Sequence, residues 1–381
     1  MKYSGLLLTF ALALRSICCA QSLPPVVGKD QIIQVAAGDN LYQLGLRYGL
    51  AIEHFAFANH LPIQLAVNTS REITVPSRRI LPLSPPASGL VVNLPERGVF
   101  LFRDGAFERF YPIAIGQPGR FATPTGQFEL VSRVKDPTWM PPEWAGLGVD
   151  TVVPAGPDNP LGDRWMGLSM SGLGLHSTTQ PTSIGSAASH GCMRMYPEMS
   201  HDLFDRVRVG FPVRIEYEPV KIGRDPETGS LCLSVFPDVY GQVPLAARAS
   251  ELLAKAGLES WIEPQQLARW LARPQGLPQT FADGQIGLMQ GGVEVGEPGL
   301  LLKSSQGIFT SIEALRRVGV NSVYDPVCKS VTLTWQEVSQ TYSGIDGVTL
   351  DGKLYLPVRT VLTALAIPFH WDGATRALVI D

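Results

Sequence analysis

The chain carries little charge: Asp, Glu, Lys and Arg make up 17% of its 381 residues, the formal balance is −3, and no long basic or acidic run occurs. Nothing in it would attract a polyanion, so nucleic acid is excluded as a partner. It also lacks an apolar run long enough to cross a bilayer, which takes about 20 predominantly apolar residues. The nearest approach, Gly5 to Leu14, is broken off by Arg15. Cysteine is sparse, with 5 in all. Hydrophobic residues at 45%, with 38 Gly and 31 Pro, exclude wholesale disorder and point to turn-rich globular domains. Length implies several of them, on a prior of roughly 100 to 200 residues each.

The N-terminus reads as a secretory signal over residues 1–20. Lys2 supplies the positive start, Gly5 to Leu14 the short apolar stretch, and Cys18-Cys19-Ala20 the small residues for cleavage. Export to the periplasm is the consequence. The mature chain then keeps Cys192, Cys232 and Cys328, an odd number in a compartment where thiols pair. If two of them join, Cys232 and Cys328 are the candidates, because Cys192 sits in a motif that needs a thiolate.

A multidomain architecture is expected. Residues 31–78 read as a small βααβ unit: Ile32 to Val35 alternates like a strand, Gly38-Asp39 turns, Leu41, Leu44, Gly45 and Tyr48 follow helical spacing, and Glu72 to Val75 returns as a strand. Pro82, Pro85 and Pro86 make residues 79–88 a stiff linker. Residues 89–218 are dominated by strand-like segments and predict a mainly-β sandwich or barrel, with a helix at Ser200 to Val207. Residues 219–282 read as an extension and helical linker, Pro264 lying just inside the start of its second helix. Residues 283–381 contain an internal repeat, Tyr324-Asp325 answering Trp371-Asp372, and predict a compact α+β domain.

The chemistry concentrates in His176-Ser177 and Ser189-His190-Gly191-Cys192-Met193-Arg194. A thiol nucleophile needs an imidazole within hydrogen-bond reach to take its proton and return it to the leaving amine. Both His176 and His190 are available. His190 precedes Cys192 by two positions, so on an extended strand the two side chains share a face. Gly191 between them would allow close substrate approach and free a backbone N–H for a developing oxyanion. A lone Cys or His is usually a core residue, but one exported Cys flanked by Gly and two His favours catalysis. With one mature Cys nearby and no acidic partners at ligand spacing, no metal and no other cofactor is expected.

These residues resemble the signature of the L,D-transpeptidase catalytic domain, the YkuD domain, in which a His is followed after a variable segment by Ser/Thr-His-Gly-Cys. Further landmarks are Gly116-Gln117-Pro118-Gly119, Thr123-Pro124-Thr125-Gly126, Pro137 to Pro142 and Pro154 to Gly162, which are similar to the ErfK/YbiS group. The resemblance implies Cys192 as nucleophile and His176 as proton acceptor and donor, oriented through the Ser177 carbonyl. Ser189 would support the motif, His190 and Gly191 would shape the oxyanion site, and Arg194 would hold a substrate carboxylate or form a structural salt bridge.

The implied substrate is the tetrapeptide stem of peptidoglycan, attacked between diaminopimelate and the terminal D-alanine. The acyl group would pass to another diaminopimelate as a cross-link or to a lysine of an outer-membrane lipoprotein as an anchor. Water as acceptor makes the enzyme an L,D-carboxypeptidase. A non-catalytic peptidoglycan-binding scaffold is the alternative from another class. Residues 31–78 resemble a LysM module, which implies binding to N-acetylglucosamine glycan. The C-terminal repeat is similar to the copper amine oxidase N-terminal-like domain, notably at Leu354 to Arg359, and implies an accessory role without copper.

Overall fold

The computed structural model describes residues 22–62, 71–142, 145–146, 151–343 and 346–381. The expected leader lies outside the described residues. No helix among the described residues is long and apolar enough to cross a membrane.

Near the N-terminus, Gln31–Gln34 pairs antiparallel with Glu72–Val75 around the helices Leu41–Tyr48 and Ile52–Ala58. The Asn40 side chain caps the first helix by accepting from the Gln43 N–H, and Gly49 ends it at a φ of 68°. Leu41, Leu44, Phe55, Ile73 and Val75 close a small core. Two helices of about two turns each are marginal alone, so this core holds them.

Nine strands build the next unit: β1 (Gly89–Asn93), β2 (Gly98–Arg103), β3 (Ala106–Gly116), β4 (Gly126–Lys135), β5 (Arg164–Leu168), β6 (Gly174–His176), β7 (Ala187–Ser189), β8 (Met193–Met195) and β9 (Pro212–Glu216). Their order is β7-β3-β8-β6-β5-β4-β9-β1-β2, and β2 pairs back onto β3, so the sheet closes on itself. β1 and β2 are apolar on both faces for a reason. Leu90, Val92, Val99 and Leu101 point into the barrel core. Val91, Phe100 and Phe102 point outward, where Leu81 covers them. The helix expected at Ser200 begins at Pro197 and ends at Arg206, proline being suited to a first helical position. It packs Leu203 and Phe204 against the barrel.

The linker expected at 79–88 is not a free spacer. Arg79–Ile80 forms a strand with Val26–Val27, Leu81 is buried, and the Ile80 carbonyl accepts from the Lys221 ammonium at 2.7 Å. Lys221 also meets Glu96 at 2.5 Å, both nearly sealed from solvent. Residues 219–282 likewise depart from a helical linker. Val220–Arg224, Leu231–Val235 and Gln279–Ala282 form an antiparallel sheet, and the helices Leu245–Ala256 and Pro264–Ala272 lie over it. Trp261 stacks on Phe309 at 4.3 Å, so this core runs into the C-terminal repeat.

In that repeat, Gly307–Ser311, Ile312–Arg317, Asn321–Asp325 and Ser330–Trp335 run strand, helix, strand, strand. Lys353–Pro357, Val358–Ala364, Phe369–Asp372 and Ala377–Ile380 do the same. Cys232 and Cys328 are both free. Cys232 is buried between Arg78 and Thr280, whereas Cys328 lies exposed beyond Asp325, so the pair considered from sequence does not form.

Candidate active site

β6 and β8 are only three residues long, but they run parallel and side by side, with Leu175 opposite Met193 and His176 opposite Arg194. Leu175 and Met193 enter the barrel core. The alternate positions, His176 and Arg194, therefore face the other way, and Cys192 lies in the bend immediately before β8. Sequence separation hides this neighbourhood and the backbone ladder creates it.

His176 is buried, and its Nδ1 lies 2.5 Å from the Ser177 carbonyl. A carbonyl can only accept, so Nδ1 carries the hydrogen and Nε2 keeps its lone pair. Burial holds the imidazole down to about 4, the Ser177 carbonyl pulling the other way and the Arg194 charge reinforcing the effect. Trp165 lies opposite His176 in the β5 register, its ring 6.0 Å away.

Cys192 is half-buried, and its thiol donates to the Gly172 carbonyl at 3.1 Å. Burial pushes the thiol above its ordinary range, against a hydrogen bond from the Gly174 backbone and the Arg194 charge. Both partners are thus driven toward neutrality. Burial works against both charges of a thiolate–imidazolium pair in the resting site.

Residues 190–192 bend and do not extend as a strand. Gly191 sits at a φ of 114°, a conformation that side-chain-bearing residues rarely adopt. His190 therefore does not share a strand face with Cys192: its ring is exposed and rests edge-on against Phe121 at 4.4 Å. The Gly191 N–H is not free either, since it points at the Ser189 hydroxyl at 3.3 Å. Buried Ser189 donates in turn to the Cys192 carbonyl at 2.5 Å, stapling the bend.

Arg194 is held by the Gln180 side-chain carbonyl at 3.1 Å. Among the described residues it forms no ion pair with a carboxylate. Burial lowers its affinity for the proton, and its charge acts on Cys192, His176 and His190 alike.

Three further residues complete the site, none of them among the candidate catalytic or binding residues. Gly172 receives the thiol. Thr123 accepts from the Gly116 N–H at 2.9 Å and donates to the Gly191 carbonyl at 2.8 Å. Tyr240 donates to the Gly116 carbonyl at 2.9 Å and accepts from the Thr123 N–H at 3.1 Å. Thr123 lies in one of the sequence landmarks, but Tyr240 has no local signal.

The L,D-transpeptidase catalytic domain family, YkuD, matches residues 87–215. A probable L,D-transpeptidase of Escherichia coli K12, ErfK/SrfK, is 32% identical over 253 residues, covering 62% of this chain and 80% of that protein. Another from the same strain, YcfS, is 30% identical over 237 residues, covering 58% and 74%. Among solved structures, the catalytic domain of an Enterococcus faecium L,D-transpeptidase is 27% identical, with a TM-score of 0.28, and covers 34% of this chain and 96% of that one.

Proposed function

The chain belongs to the L,D-transpeptidase family, and from that premise we propose that Cys192 is its nucleophile and His176 its proton carrier in acyl transfer on peptidoglycan stem peptides. The observation that supports this most directly is the parallel pairing of β6 with β8, which sets half-buried Cys192 at the start of the strand that lies beside a buried imidazole whose tautomer Ser177 fixes.

The thiol leaves Gly172 and gives its proton to His176 Nε2 as the sulfur attacks the carbonyl that joins the L-centre of diaminopimelate to D-alanine. A concerted step avoids a separate thiolate, so the negative charge first appears on the carbonyl oxygen while His176 becomes the imidazolium. The oxyanion of the tetrahedral intermediate is taken by the Cys192 backbone N–H, since the Gly191 N–H is engaged by Ser189. The C–N bond then breaks, the proton passes from His176 to the departing amine, and a thioester remains on Cys192. An acceptor amine reverses the sequence, losing its proton to His176 and restoring the thiol.

Arg194 holds a stem carboxylate, which its lack of an acidic partner among the described residues supports. His190 lines the rim beside Phe121. Transfer to a second diaminopimelate or to a lipoprotein lysine shares the first half-reaction with hydrolysis.

Residues 31–78 act as a glycan-binding module on the exported, wall-associated enzyme. Tyr42 lies against Tyr196, four residues past the nucleophile, at 5.7 Å, and Glu53 pairs with Arg97 at 2.9 Å. A module docked this way raises the local concentration of wall peptide at the site. Residues 283–381 serve as an accessory domain for wall or protein contact.

Intact-mass analysis after exposure to meropenem tests the nucleophile. We expect one adduct, mapped to Cys192 and absent from Cys192→Ala. An adduct elsewhere, or its persistence in the variant, would sink the assignment. Mass spectrometry of sacculi after incubation separates the acceptors: cross-linked or amine-exchanged stems report transfer, and shortened stems alone report hydrolysis.

A further inference from the structure

A residue outside the matched catalytic domain reaches into the turn that packs against the bend carrying Cys192. After the strand Leu231–Val235, the chain is knotted by Asp238. Its carboxylate accepts from the Gln242 and Val243 N–H groups, each at 3.0 Å, and from the Tyr217 hydroxyl at 2.5 Å. Tyr217 in turn orients Tyr240, accepting from its N–H at 2.8 Å and stacking on its ring at 5.6 Å. Tyr240 is thus aimed before it meets the barrel.

Its hydroxyl then bridges the two ends of the turn after β3, donating to the Gly116 carbonyl and accepting from the Thr123 N–H. This turn is packed against the catalytic bend with no slack. A Cβ on Gly116 would lie 1.9 Å from the Phe121 carbonyl and 3.0 Å from the Gly191 Cα. Thr123 converts that contact into direction through its hydrogen bond to the Gly191 carbonyl. The Gly191 carbonyl and the Cys192 N–H belong to one planar trans peptide and point in opposite directions. Fixing the oxygen therefore fixes the N–H.

We propose that Tyr240 is a positioning residue for the oxyanion donor, acting through Thr123 and the Gly191–Cys192 peptide. The segment beyond residue 215 then forms part of the catalytic apparatus. The inference rests on the reading of Cys192 as nucleophile. A donor aimed at the position where charge develops acts chiefly on the chemical step and little on initial binding.

The test uses the full chain, with meropenem as the probe and both the saturating acylation rate and the apparent initial binding constant measured. Tyr240→Phe removes the hydroxyl and keeps the stacked ring. We expect roughly 10-fold slower saturating acylation, initial binding within about twofold and an unchanged melting temperature. Thr123→Val is expected to slow acylation similarly, Thr123→Ser to restore it, and the Tyr240→Phe/Thr123→Val double variant to be no slower than Thr123→Val alone. An unchanged rate in Tyr240→Phe, a loss that tracks the unfolded fraction, or multiplicative effects in the double variant would overturn the proposal. Wild-type protein that takes no adduct on Cys192 would bring down the nucleophile assignment and this inference with it. A labelled wild type with an equally fast Tyr240→Phe brings down the inference alone.

Discussion

The Cys192 thiol donates its hydrogen to the Gly172 carbonyl, 3.1 Å away. A thiolate has no hydrogen to donate, so ionising the sulfur forfeits this bond as well as incurring the cost of burial. We expect the iodoacetamide reaction of the free enzyme to accelerate with pH past about 9, the ordinary thiol value here. A plateau below neutrality would reveal a preformed ion pair and refute the neutral resting state. His176, held down to about 4, stays deprotonated and able to accept a proton well into the acid range. The acid limb of kcat/KM for the stem peptide is therefore expected near pH 4, not near 6.5.

His54 gives the fold an acid limit. It is buried where the N-terminal module meets the barrel, its Nδ1 has no hydrogen-bond partner, and burial with the Arg79 and Arg97 charges holds it down to about 3. The unfolded chain takes up the proton near 6.5 and the folded chain does not. Stability is therefore full above 6.5 and is lost progressively as pH falls toward 3. Melting temperatures between pH 7 and 4 should decline less steeply in His54→Leu than in wild type. Some slope persists because His176 titrates in the same direction. Equal slopes would refute the assignment to His54.

Lys221 and Glu96 form a sealed ion pair between the barrel and the segment beyond it. Asn93 and the Ile80 carbonyl complete its hydrogen bonds. Removing one partner strands a buried charge, which costs roughly 3 to 5 kcal/mol. Denaturant titration should show such a loss in Lys221→Met, and a smaller one when Glu96→Leu is added. If the double variant is the weaker, the pair stabilises the fold outright.

Arg194, proposed to hold a stem carboxylate, has no carboxylate partner among the described residues. A charge-assisted hydrogen bond contributes about 1.5 to 3 kcal/mol, so Arg194→Gln should raise KM for a tetrapeptide stem roughly 10- to 100-fold. A stem whose carboxylates are amidated should not distinguish the two proteins. Equal effects on both stems would assign Arg194 to holding the loop through Gln180.

What the sequence disclosed was local. The motif around Cys192, the helical spacing from Leu41 to Tyr48 and the order of the C-terminal repeat all depend on neighbours along the chain. Long-range closure escaped. Tyr240 meets Gly116 across 124 positions, and nothing in the spacing of either residue reports the other. The apolar runs of β1 and β2 identified strands but not the layer that covers their outer face, because Leu81 lies among prolines that suggested a spacer. The upward push on the Cys192 thiol escaped for a related reason. It depends on burial and on a carbonyl from another turn, neither of which spacing reports.

The docked strand Arg79–Ile80 bears on how the enzyme can be dissected. Trimming the protein to the catalytic match, residues 87–215, would uncover Phe100 and Phe102, strand buried Glu96 without Lys221 and take Tyr42 off Tyr196. Such a fragment would present sticky, unneutralised surface, and its poor behaviour would reflect surgery, not chemistry. Kinetic comparisons are meaningful only on molecules that keep both flanks.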